Sequence, residues 1–102
     1  MPKLNETQVQ AVLSALDGWS LDSSIEGGAL SKIFEFRDFI QAMVWVNRVA
    51  EEAEEANHHP DIAIHYNRVT LTLWTHTEKG ITERDAMLAE HIDDLPRQLG
   101  EE

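Results

Sequence analysis

Apolar residues first recur at helical spacing where Val9, Val12, Leu13 and Leu16 form one stripe, which predicts a helix over about 5–16. Asn5 is placed to cap it and Gln8, three residues on, to complete a capping box. Gly18 is its expected stop, because glycine accepts the left-handed conformation. A short strand is expected from Trp19, with Trp19 and Leu21 on one face, then a turn at Glu26-Gly27-Gly28. The second strand runs from about Ala29 to Phe36; Leu30, Phe34 and Phe36 share a parity that Lys32 interrupts, which suits an edge position. The longest helix begins at Asp38, again with a glutamine, Gln41, three residues later. Phe39, Ala42, Met43, Trp45, Val46, Val49, Ala50 and Ala53 fall on one broad arc, with Glu51, Glu52 and Glu55 opposite. Pro60 stops this helix near Asn57. Ile62, Ile64 and Tyr66 then alternate with Ala63 and His65, and Val69, Leu71 and Leu73 with Thr70, Thr72 and Trp74; Asn67 is the turn between these two strands. After a turn at Lys79-Gly80, Thr82 and Asp85 form a capping-box-like pair. They open a last helix striped by Leu88, Ile92 and Leu95, with Pro96 as its end and a polar tail to Glu102.

The order helix, two strands, helix, two strands, helix predicts an α+β fold in two layers: a four-stranded antiparallel sheet with helices packed on one face (α-β-β-α-β-β-α). The 102 residues suit one domain over 1–102. Ile40 and Val44 sit one turn apart on the acidic side of the long helix, which suggests a subunit contact.

Charge narrows the range of partners. Eight basic residues against 19 acidic ones leave −11, which disfavours phosphate backbones and anionic membrane surfaces, so neither nucleic acid nor membrane is an expected partner. The absence of cysteine excludes disulfides, thiolate metal sites and cysteine nucleophiles, and fits a reducing cytoplasm. No signal-peptide pattern and no apolar run of membrane-spanning length is seen.

Candidate chemistry concentrates in His58, His59, His65 and His76, four of the five histidines. Imidazole titrates near neutrality, so such a cluster suggests proton transfer or metal binding. His65 has solvent-facing parity, His91 lies on the exposed side of its helix, and Trp45 reads as core. Trp74 shares the parity of His76 and would line the same surface. Zinc on His58, His59, His76 and Glu54 is disfavoured: adjacent histidines diverge in extended chain, and neither HxH nor HExxH spacing occurs. No nucleophile elbow supports a Ser/His/Asp hydrolase.

The run Glu54-Glu55-Ala56-Asn57-His58-His59-Pro60, then Tyr66, Thr75-His76 and Thr82-Glu83-Arg84-Asp85, resembles the signature of the pterin-4a-carbinolamine dehydratases. Gly18-Trp19, Phe34-Glu35-Phe36 and Phe39 extend the resemblance over nearly the whole chain, and Thr77-Glu78-Lys79-Gly80 departs from the more glycine-rich turn of many relatives. The resemblance implies loss of water from a 4a-hydroxytetrahydropterin to give a quinonoid dihydropterin. That step recycles the pterin of the aromatic amino acid hydroxylases. It further implies no metal, no cofactor, and a homodimer or homotetramer. His58 and His76 would be the acid/base groups and His59 would hold the pterin. Asn57, Trp74, Thr75 and Thr77 would line the site with them. Apart from the resemblance, the helical spacing alone places Glu54 one turn before His58, where it is expected to orient it. The competing expectation is a non-catalytic interaction module, since some animal members of the family serve as a dimerisation cofactor of a transcription factor; the Ile40/Val44 patch is where such a role would reside.

Overall fold

The computed structural model describes residues 2–97. The elements are α1 (Glu6–Ala15), β1 (Ser20–Asp22), β2 (Ala29–Glu35), α2 (Phe39–Ala56), β3 (Asp61–His65), β4 (Arg68–Leu73) and α3 (Glu83–Asp93). The order and the α+β class are those predicted. The strands form one antiparallel sheet in the order β1-β2-β4-β3.

The two central strands show why the helices collect on one side. Leu30 and Phe34 on β2, and Val69, Leu71 and Leu73 on β4, are buried on a shared parity. They pack with Trp45, Val46 and Val49 of α2 and Leu88 and Ile92 of α3. Phe34 and Phe36 hold the Trp45 ring between them, at centroid distances of 4.4 and 5.1 Å. No residue of α1 is buried; it rests Val9, Val12 and Leu13 against the margin of this core. Its capping box at Asn5 and Gln8 is formed as expected.

Several boundaries differ from the sequence reading. Trp19 precedes β1, buried, and donates from Nε1 to Asp93. Lys32 lies on an interior strand, one residue past the last β1 pair; Asp93 and the Asp17 carbonyl take its ammonium, so its side chain is only 14% exposed. Phe39 and Ala50 are exposed although they share the apolar arc, because Phe39 begins α2 and Ala50 lies at its margin, while Gln41 is buried in their place. Tyr66 belongs to the turn rather than to β3. His65 pairs with Arg68, so Tyr66 and Asn67 form the connection, and Tyr66 takes φ 56°. Asn67 anchors that turn by donating from its side chain to the Phe36 carbonyl. All of β3, at the edge of the sheet, is exposed, its alternating Ile62 and Ile64 included. α3 ends at Asp93, before Leu95 and Pro96, because the residue preceding a proline avoids helical geometry. The tail beyond Arg97 lies outside the described residues.

Candidate functional site

Three backbone devices bring the site together. Asn57 ends α2 in the left-handed conformation (φ 51°, ψ 44°), which asparagine tolerates better than most residues, and this turns His58 and His59 off the helix axis. After β4, Thr75 bridges Gly80 and closes a turn that carries His76. Gly27 makes that closure possible: a Cβ there would sit 1.7 Å from the Lys79 carbonyl oxygen. The first turn of α3 follows at once, and Arg84 reaches back to donate to the Asn57 carbonyl at 2.7 Å.

These segments enclose a cleft of about 280 Å³ lined by Asn57, His58, His59, Trp74, Thr75, His76, Thr77 and Arg84. The seven residues expected to line a site from the resemblance therefore meet in one place, with Arg84 added. The three imidazoles sit in different settings. His58 is buried, and its Nε2 lies 2.5 Å from Oδ1 of Asp85, which has no exposed surface. His59 is exposed, and its Nε2 lies 2.6 Å from Glu54. His76 is exposed and stacks on Trp74, with centroids 4.2 Å apart and planes 23° apart.

The expected link between Glu54 and His58 is not formed. The left-handed turn at Asn57 brings His59, not His58, back over the last turn of α2, so Glu54 pairs with His59. The carboxylate behind His58 is Asp85. From its spacing Asp85 reads as a helix cap, and the resemblance includes it in the signature without giving it a role; its side chain does serve as the cap, accepting from the Thr82 N–H at 2.8 Å. What hid its second contact is distance along the chain: 27 residues separate it from His58. Thr75 is also more committed than expected, since its hydroxyl is buried in contact with Thr82 and Asp85. Among the described residues, no group of three or more His, Asp or Glu is placed to hold a metal ion. No helix among them is long and apolar enough to cross a membrane.

A two-layer α+β fold with an imidazole-lined cleft between the end of its longest helix and the start of its last defines the class. The sequence matches the pterin 4 alpha carbinolamine dehydratase family over residues 2–95, and the chain belongs to that family. A relative from Thermomicrobium roseum, provisionally named as a pterin-4-alpha-carbinolamine dehydratase, is 47% identical over 93% of this chain and 98% of its own. A crystal structure described as a transcriptional coactivator/pterin dehydratase from Brucella melitensis superposes with a TM-score of 0.83 at 38% identity, covering 89% of this chain and 95% of that one. A pterin dehydratase-like protein, described as a RuBisCO assembly factor in the alpha-carboxysome, matches with a TM-score of 0.63 at 25% identity over 74% of this chain and 86% of that one.

Proposed function

We propose that the protein is a hydro-lyase that removes water from a 4a-hydroxytetrahydropterin, with His58 and His76 as its proton-transfer groups. The observation that carries this reading is the meeting of two differently held imidazoles at one cleft: His58 backed by a buried carboxylate, His76 lying against Trp74. In the reaction the C4a–O bond breaks with both electrons leaving on oxygen. The oxygen takes a proton from an imidazolium and departs as water. The lone pair of the adjacent ring nitrogen forms the new C=N bond, and that nitrogen's proton passes to a neutral imidazole. Each positioned transfer contributes about 10²–10⁴-fold. The step needs neither metal nor cofactor, because the substrate's own lone pair expels the hydroxyl. A cleft of about 280 Å³ lies just below the usual range of drug-sized ligand sites (roughly 300–1,000 Å³), which suits a small, flat two-ring substrate. His59 would hold the pterin, with Asn57, Trp74, Thr75 and Thr77 along the wall. The chain would act as one domain in the cytoplasm, returning pterin to aromatic amino acid hydroxylases. The test is direct. The purified protein should speed decay of the 4a-hydroxypterin absorbance, and decay at the buffer rate would overturn the reading.

The start of α2 favours an additional, non-catalytic property. Ile40 is 61% exposed and Phe39 beside it is exposed too. We assign this surface to self-association as a homodimer or homotetramer. The double variant Ile40→Glu/Val44→Glu should shift sedimentation towards monomer. An oligomer that survives it would exclude the patch, and a wild-type monomer at micromolar concentration would exclude the assembly.

A further inference from the structure

Both oxygens of the Asp85 carboxylate are engaged. The Thr82 backbone N–H donates to Oδ2 at 2.8 Å. The Arg84 N–H donates to Thr82 Oγ1 at 3.2 Å. The Thr75 and Thr82 hydroxyls lie 2.8 Å apart, and Thr82 Oγ1 is itself 3.5 Å from Oδ2. Thr75 in turn donates to Asp85 Oδ2 at 2.9 Å. Two donors thus converge on Oδ2, at the positive end of α3. A carboxylate can only accept at Oδ1, which makes His58 Nε2 the donor across the 2.5 Å contact. His58 Nδ1 makes no hydrogen bond among the described residues.

We infer that Asp85 is the positioning residue of this site: it holds neutral His58 in the Nε2–H tautomer and leaves Nδ1 as the nitrogen that exchanges a proton with a molecule in the cleft. The helix cap and the proton-transfer group are thus oriented by the two oxygens of one side chain. Only the kinetic consequence of this inference rests on the proposed dehydration; the tautomer does not.

Asp85→Asn tests it, because the substitution keeps the shape and reverses one contact. The amide oxygen can still accept from Thr82 and Thr75, so the cap persists. The amide nitrogen then faces His58 Nε2 and can only donate, which forces the imidazole proton onto Nδ1. Long-range ¹H–¹⁵N NMR of the neutral imidazole should show His58 as Nε2–H in the wild type and as Nδ1–H in the variant. The kcat for dehydration should fall by about 10²–10⁴-fold, the scale of a tautomer error in a proton-transfer site, with KM held within about threefold. An Nδ1–H tautomer in the wild type would overturn the inference without recourse to any variant, and so would an unchanged Nε2–H tautomer in a folded Asp85→Asn protein. A switched tautomer in a protein whose wild type shows no dehydration would leave the role of Asp85 standing and overturn the dehydratase reading instead.

Discussion

At the first turn of α3, Asp85 is wholly buried and accepts from His58, Thr75 and Thr82. At the last turn of the same helix, Asp93 accepts from Trp19 Nε1 and from the Lys32 ammonium, each at 2.9 Å. The backbone treats the two carboxylates oppositely, since a negative charge is favoured at a helix N-terminus and disfavoured at its C-terminus. Asp93 is therefore held by a side-chain cation, and that cation also lies 4.9 Å from the Phe34 ring centroid, so the cluster ties α3 to β2. Lys32 is not among the groups lining the histidine cleft. The partner of Asp85 is instead an imidazole that faces the cleft. One helix thus carries a clamp at one end and a group suited to moving protons at the other, and the difference lies in the partner rather than in the carboxylate.

That contrast is most exposed to failure at the histidine end. The His58→Ala/His76→Ala variant should lose on the order of 10⁴-fold or more in kcat. Each imidazole can partly take over the other's proton transfer, so this loss should exceed the product of the two single losses. Steady-state kinetics on variants checked for folding by circular dichroism measures it, and a folded double variant with near-wild-type kcat would remove both residues from the mechanism. Asp93→Ala should do the converse. It leaves the Trp19 N–H without its acceptor and the part-buried Lys32 ammonium with only the Asp17 carbonyl, so urea unfolding should show a loss of about 1–3 kcal/mol, with kcat and KM nearly unchanged. A large fall in kcat at full stability would erase the distinction between the two ends. His59→Ala sharpens the contrast within the cleft. With no buried carboxylate behind it, His59 should contribute to ground-state binding, so KM should rise by about three- to tenfold at constant kcat. Exhaustive chelation should have no effect on kcat; activity lost to a chelator and restored by zinc would replace proton transfer with metal chemistry.

Patterning alone determined the order of elements, the caps at Asn5, Asp38 and Thr82, and the buried parity of β2 and β4. These follow from interactions within a few residues and from side-chain periodicity, both of which are written locally in the chain. The histidine cluster was legible for the same reason: His58 and His59 are neighbours at a helix stop, and Trp74 shares parity with His76. Partner choice was not legible. Glu54 is one helical turn from His58 in sequence, yet the left-handed residue Asn57 delivers His59 to it. The exposure of β3 at the sheet edge is revealed by no alternation within the strand. Asp85 meets His58, and Asp93 meets Lys32, only because the sheet and α2 bring distant segments together. A charge can be located from sequence, but what it faces is decided by packing, because the low-dielectric interior lets only a paired carboxylate remain buried.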